Sequence, residues 1–464
     1  MMGNTGLASP PFGGTDIDFK TGNPVVSYIS RTMDFGRTSA NITDGQGDLL
    51  FATNGQYIAD RTGNQMMNGG GLNPGWYSDD CGDDGLQIFQ AALILPKPGD
   101  SAIYYLFHNT ADDMTTGTSG KLSLTTIDMR LNGDLGAVIA KNQPIVTDIL
   151  APGHITSVKH ANGRDWWVFC HKACSNVFYR MLLTPDGLSA PVQQPIGIDV
   201  ESIGQVVFSP DGSRFAFYDA YDGLQILEFD RCEGLLSNPV HFMVNDTAFS
   251  GGVAFSSDSK VLYAASYYHV FQYDVTAPNI QATQQIVAVY DGFIDPAGDP
   301  FFTTFNKMML APDGKIYIGT GNATQFLHVM HSPNVLGTGC NVDQHALQVT
   351  YYFNSLPNHP NYHLGALAGS PCDTLVSIVE GPMQPMPLQL YPNPNNGEFN
   401  LSFVPQPEPG ELLIYDVLGK LVHQEQIAEW SQVKRVSLSQ LPQGVYHSRL
   451  VWKGKTGVVR FVKE

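Results

Sequence analysis

Short apolar and aromatic runs, each closed by tight-turn residues, set the rhythm of this chain. The clearest unit is Val206-Val207-Phe208-Ser209-Pro210-Asp211-Gly212-Ser213-Arg214-Phe215-Ala216-Phe217-Tyr218. It predicts strand, turn, strand: Pro210 presets φ for the second position of a type I turn, and Gly212 releases the chain into the next strand. The unit returns as Leu310-Ala311-Pro312-Asp313-Gly314-Lys315-Ile316-Tyr317-Ile318, and more loosely as Phe255-Ser256-Ser257-Asp258-Ser259-Lys260-Val261-Leu262-Tyr263. Equivalent turn anchors stand at Gly47, Gly99 and Gly163, each followed by a strand-like run such as Leu49-Leu50-Phe51 or Trp166-Trp167-Val168-Phe169.

The second half of the unit repeats too. A third strand ending in Asp (Asp128, Asp230, Asp274) leads into a turn and a fourth strand. Anchors 47–64 residues apart suit four-stranded blades arranged radially, so the expected fold is all-β: a β-propeller, six blades favoured and seven possible. A seventh could hide in the 64-residue interval from Gly99 to Gly163. Free sheet edges invite aggregation, so the ring is expected to close through one blade shared between the chain ends. Asn23–Ile29 and Gln348–Phe353 are the candidate strands. The proline-rich Leu356–Tyr362 then reads as an irregular strap.

Charge divides the chain. Residues 381–464 carry eight Lys/Arg against seven Asp/Glu, a net of +1, which leaves 17 against 36, a net of −19, for residues 1–380. The expected organisation is a propeller body with closing strap over 1–380, a Pro-rich linker over 381–387, and a small Ig-like β-sandwich over 388–464. Alternating runs such as Glu398–Phe403 and Glu411–Asp416 support the sandwich. The acidic balance argues against a nucleic-acid partner. No run of 18 apolar residues exists, so no transmembrane segment is expected. Met1–Pro11 lacks the basic start and apolar core of a signal peptide, and the expectation is a start that has been trimmed.

The C-terminal segment resembles the sorting domain of the type IX secretion system of the Bacteroidota (type A). The residues that carry the likeness are Tyr391-Pro392-Asn393-Pro394 with Gly397, then Ile414–Val422 with Asp416 and Gly419, then Leu441–Tyr446 with Gly444 and Tyr446, and the close Gly457–Glu464. The resemblance implies that the secretion machinery is a partner, that the destination is extracellular or the outer-membrane surface via the periplasm, and that cleavage falls near the linker. The body resembles WD40-like repeats of the TolB type through Phe208–Gly212, Ala311–Gly314 and Asn162–Trp167, which implies a fold but no activity.

Chemistry is harder to find. Asp79, Asp80, Asp83 and Asp84 crowd a glycine-bent loop and form a calcium candidate. Cys170-His171-Lys172-Ala173-Cys174 could start a zinc site, or form a disulfide across a hairpin mouth. Six cysteines allow 15 pairings, and sequence does not choose among them. His328 and His331 would point to opposite faces of a strand, while His154 and His160 are candidate bases or ligands. Asp295 and Asp299 flank a tight turn. The pairs Trp166-Trp167 and Tyr267-Tyr268 can each offer one ring to a cleft, and Tyr263 with the tryptophans reads better as packing. No catalytic constellation stands out. The expected function is an exported binding module for an unknown protein or glycan; the alternative is a secreted glycosidase-like or lactonase-like hydrolase with its site at the propeller channel.

Overall fold

A computed structural model describes residues 1–4, 11–201, 204–244, 251–296, 301–352, 354–373, 384–417, 420–452 and 455–464. Two compact units are present, Met1–Thr374 and Leu375–Glu464.

In the first unit each of the six anchors turns the first strand of a sheet into its second. Blade 1 is Ala40–Thr43, Leu49–Thr53 and Ile58–Asp60. Blade 2 is Ala92–Lys97, Asp100–His108, Ser119–Asp128 and Ala137–Leu150. Blade 3 is Thr156–Lys159, Trp166–His171, Ser175–Thr184 and Val192–Val200, with the short Gly187–Leu188 at its edge. Blade 4 is Gln205–Phe208, Arg214–Asp219, Gly223–Asp230 and Leu235–Phe242. Blade 5 is Gly252–Phe255, Val261–Ala265, His269–Asp274 and Gln285–Val289. Blade 6 is Phe305–Leu310, Ile316–Thr320, Thr324–Met330 and Val342–Tyr352. Strands pair antiparallel in chain order, the meander of a propeller blade.

The turns obey the chemistry read from them. Gly212 N–H donates to the Ser209 carbonyl, and Asp211 accepts from Ser209 Oγ and from the Ser213 amide. All six anchors, Ser259 included, have positive φ (63–81°), the conformation that glycine adopts without steric cost. Apolar faces of successive blades then fuse into shared cores. Ile42, Phe51 and Tyr104 join blades 1 and 2, Phe107 and Trp166 blades 2 and 3, and Trp167 and Phe215 blades 3 and 4. Tyr218 and Phe271 join blades 4 and 5, and Tyr263 and Ile318 blades 5 and 6.

Two expectations about closure are corrected. The interval from Gly99 to Gly163 holds no extra blade; its length goes into the 10- and 14-residue strands of blade 2, whose ladder shifts register four times. The chain ends do not share a sheet among the described residues. Val25–Ile29 pairs only with Gly13–Asp18, which pairs with Met2–Asn4 to make a separate three-stranded sheet. That sheet stands between blades 6 and 1. It meets blade 6 through Thr15–Thr350 (2.7 Å) and the Phe19–Tyr317 ring contact, and blade 1 through the Lys20–Asp48 ion pair and packing of Met1. Closure is by packing of a seventh, smaller sheet.

The strap is irregular, as its prolines require. Ser355–Asn358 is buried, and Asn358 Nδ2 donates to the carbonyls of Ala92 (3.0 Å) and Ile155 (2.9 Å) at the starts of two inner strands. Further on, Tyr362 Oη donates to the Ile94 carbonyl, Asn361 Nδ2 to the Pro210 carbonyl, Arg231 to the Gly365 carbonyl, and the Leu367 amide to the Ala161 carbonyl. The disulfide Cys232–Cys372 fixes the strap's far end to blade 4. Gly163 is indispensable to this path, since a Cβ there would lie 2.4 Å from the Ala366 nitrogen.

The second unit is a two-sheet sandwich. Leu388–Tyr391, Glu398–Phe403 and Val433–Ser437 form one sheet. The other runs Gln384–Pro385, Lys455–Lys463, Gly444–Trp452, Gly410–Asp416, Leu421–Ile427 in spatial order. Phe399, Leu401, Leu412, Ile414, Tyr446, Trp452 and Phe461 fill the space between them.

Candidate functional site

The strap enters at the starts of the inner strands, where Asn358 meets Ala92 and Ile155, and leaves past the turn at Pro210. A pocket of about 340 Å³ opens where the inner strands begin, within the range of small-ligand sites. Its lining comes from four blades and the chain just after the last. Arg37 precedes blade 1, and Gln87, Ile88 and Phe89 precede blade 2. Tyr267 sits in the second turn of blade 5, Asn306 and Lys307 lie on the first strand of blade 6, Gly321 and Asn322 in its second turn, and Asn354 follows its last strand.

Local backbone explains how these side chains gather. In blade 6 Phe305 pairs with Thr320 and Met308 with Ile318, so Asn306 and Lys307 together oppose the single residue Gly319. This is a β-bulge, which breaks the period-two alternation and re-aims a side chain. Both residues of the bulge therefore reach the pocket, where a regular strand would send one to the other face. Gly252 of blade 5 makes room: a Cβ there would lie 2.5 Å from the Lys307 Cα. Tyr267 and Asn354 have φ of 65° and 58°, the left-handed region that costs a non-glycine residue about 1 kcal/mol and is tolerated best by Asn. Such outliers cluster at binding sites.

The pocket is cationic and amide-rich. Lys307 is 5 % exposed, its ammonium lies 5.2 Å from the Phe89 ring centroid, and it forms no ion pair among the described residues. Burial lowers its pKa to about 8; Asp219 acts from a distance to raise it and Arg37 to lower it. Arg37 is exposed. Four carboxamides (Gln87, Asn306, Asn322, Asn354) and the Tyr267 ring complete the polar lining, and no carboxylate belongs to it among the described residues. Asn322 is held by donating to the Phe302 carbonyl (2.8 Å).

Most residues singled out from sequence lie elsewhere. Asp79, Asp80, Asp83 and Asp84 are exposed on the short Trp76–Cys81 and Gly82–Asp84 turns, and no three of them bring carboxylate oxygens within ligand distance of one another. The cluster Cys232–Glu233–Cys372 does meet that geometry, but its sulfurs are joined in the disulfide. Cys170 and Cys174 are both free, correcting the hairpin-mouth disulfide: Cys170 is buried in the core of blades 2 and 3, and Cys174 is exposed in the turn. His154 and His171 border a cavity of about 10 Å³, room for one water. Burial holds them neutral, with pKa values lowered to about 3 and about 4. His160 is fixed between the Cys232 carbonyl and the Asn162 amide. His328 is buried against Phe305, and His331, just beyond the end of the Thr324–Met330 strand, faces Asp343. Asp295 is buried and accepts from the Gln325 amide; Asp299 lies outside the described residues. Trp166, Trp167 and Tyr263 are core residues. Of the tyrosine pair, Tyr267 lines the pocket and Tyr268 is exposed beside it, rings 4.9 Å apart.

In the second unit Asn393 brackets the last strand, donating to the Arg460 carbonyl and accepting from the Val462 amide, between Pro392 and Pro394. Tyr446 is buried on Phe461 and donates to the Pro442 carbonyl, and Gly444 opens its strand opposite Lys463. Asp416 closes its hairpin on Lys420; Gly419 lies outside the described residues.

Residues 389–464 match the family described as the secretion system C-terminal sorting domain. The C-terminal unit is thus a sorting domain of the type IX system, attached to a β-propeller body. Among curated proteins none matches. Among solved structures, one similar chain is a protein from Lactobacillus plantarum, with 13% identity over 77% of this chain and 96% of that one, at a TM-score of 0.44. A functionally unknown protein from Desulfotomaculum acetoxidans shares 18% over 75% and 95%, TM-score 0.41. A third, from Bacteroides uniformis and provisionally assigned as a 6-phosphogluconolactonase, shares 13% over 68% and 98%, TM-score 0.37. The sorting domain implies export, to the medium or to the cell surface. No described helix is long and apolar enough to cross a membrane.

Proposed function

We propose that the protein is an exported binding module whose propeller captures a small anionic, hydroxyl-rich molecule, of the sugar-acid class, in the pocket where the inner strands begin. The observation that carries this is the charge contrast. A body of net −19 places Arg37 and Lys307 in one pocket with four carboxamides and no lining carboxylate among the described residues. Cations of that kind bind a carboxylate through charge-assisted hydrogen bonds, and the amides suit hydroxyls. The glycosidase form of the hydrolase alternative needs two carboxylates flanking a bond, and among the described residues the lining supplies no such pair.

Calorimetric titration of the full chain with galacturonate and glucuronate, against galactose and glucose, tests the reading. Binding of the acids with loss of affinity in Arg37→Gln is the expected result. Equal binding of acids and neutral sugars, or turnover of a glycoside or lactone, would overturn it.

A further inference from the structure

The bulge does more than add a charge to the pocket. It takes a lysine from a strand interior, sets its amine against an aromatic ring, and leaves it without an ion pair among the described residues. A lysine kept only for its charge is usually exposed or salt-bridged, because burying an unpaired ammonium is costly. A lysine that must act as a nucleophile is instead desolvated or placed near another cation. Lys307 meets both conditions: it is 5 % exposed beside Ile88 and Phe89, with Arg37 on the same pocket. The arrangement is built from the neighbouring blade as well, since only glycine at 252 lets the bulge approach.

We propose that Lys307 is a carbonyl-capturing amine, which condenses reversibly with the ketone or aldehyde of a small carbonyl acid, a 2-oxo acid or the open-chain form of a sugar acid, whose carboxylate is held at Arg37. The proposal rests on the anion-pocket reading above and deepens it. In the step, the neutral amine's lone pair adds to the carbonyl carbon and the C–N bond forms. The carbonyl oxygen takes up two protons and leaves as water, and the protonated imine keeps the single positive charge that the ammonium carried. No oxidant or reductant enters. The lowered pKa of Lys307, about 8, fits this role: at pH 8 its neutral fraction is roughly a hundredfold that of an ordinary lysine.

Reductive trapping tests this. The full chain is incubated at pH 8 with pyruvate and cyanoborohydride, digested, and each lysine peptide quantified by mass spectrometry, with lactate binding measured in parallel as the carbonyl-free control. Labelling of Lys307 about a hundredfold ahead of exposed lysines such as Lys260 is expected, as is protection of Lys307 by excess lactate. Lys260→Arg should leave the Lys307 label unchanged, and Lys307→Arg, checked as folded by circular dichroism, should lose it. Lactate binding without preferential labelling of Lys307 would overturn the imine while leaving the anion pocket intact. Failure of both lactate and pyruvate to bind would overturn this proposal, and failure of galacturonate and glucuronate as well would overturn the pocket reading.

Discussion

The strap and the pocket solve opposite problems. Donors of the strap are spent on backbone carbonyls: Asn358 on Ala92 and Ile155, Tyr362 on Ile94, Asn361 on Pro210. A disulfide holds the strap's end to blade 4. In the pocket, side chains face an open volume of about 340 Å³. A polar group spent on backbone stabilises the fold; one facing a cavity is available to a ligand. The comparison assigns stability to the strap and recognition to the pocket, and that division can be attacked directly.

The largest effect should come from the disulfide. Cys232→Ser with Cys372→Ser opens a link spanning 140 residues, and loss of a native bridge costs about 2–5 kcal/mol. Thermal melting should shift downward while sugar-acid affinity, measured well below the transition, stays the same. A folded variant that no longer binds would show that strap and pocket are coupled, with Asn358 and its contact Gln90, next to Phe89, as the route. Next comes Arg37→Gln, which removes a charge-assisted bond worth about 1.5–3 kcal/mol, a tenfold to hundredfold loss of affinity by calorimetry that exceeds any accompanying loss of stability. A matching fall in stability would instead make Arg37 part of the scaffold. Gly163→Ala works on the strap. Its φ of 71° and the Ala366 nitrogen 2.4 Å from the new Cβ predict a loss of about 1–2 kcal/mol in denaturant melts and no change in binding.

A change of pH acts on the pocket through its lysine. Lys307 binds its proton less tightly folded (about 8) than unfolded (10.5), so the unfolded state carries the extra proton between those values. Its contribution to stability therefore rises as pH climbs from 8 to 10.5 and adds nothing further above that. Anion affinity moves the other way, falling about tenfold between pH 7 and pH 9 as the ammonium is lost. Affinity flat across that interval would remove Lys307 from the binding site.

How much of this was legible depends on whether the signal is local. The Ser-Pro-Asp-Gly turn at 209–212 carries its own geometry, so all six hairpins and their order could be read from spacing. The sorting domain was legible for the same reason, through Tyr391–Pro394 and Leu441–Tyr446. The N-terminal sheet was only half visible: Val25–Ile29 looked like a strand, but nothing local says that its partner is Gly13–Asp18 and not blade 6. The pocket was the least visible part. Lys307 sits in Phe305-Asn306-Lys307-Met308, which reads as an ordinary strand, and the two-against-one pairing with Gly319 exists only once the partner strand is placed. The signal available in sequence was a lysine inside an otherwise apolar strand, with Gly251-Gly252 on the preceding blade. Asp79, Asp80, Asp83 and Asp84 are conspicuous in sequence by charge, but spacing alone could not show that no three of them gather their carboxylates.

The position of Cys372 has a mechanical meaning. Everything beyond residue 373 leads to the domain that the export machinery grips. A load that reaches Cys372 is shared with blade 4 through the bond to Cys232. A covalent link at that point relieves the strap from Asn354 to Pro371, whose hydrogen bonds would otherwise be the ones to unzip in turn from a loaded end.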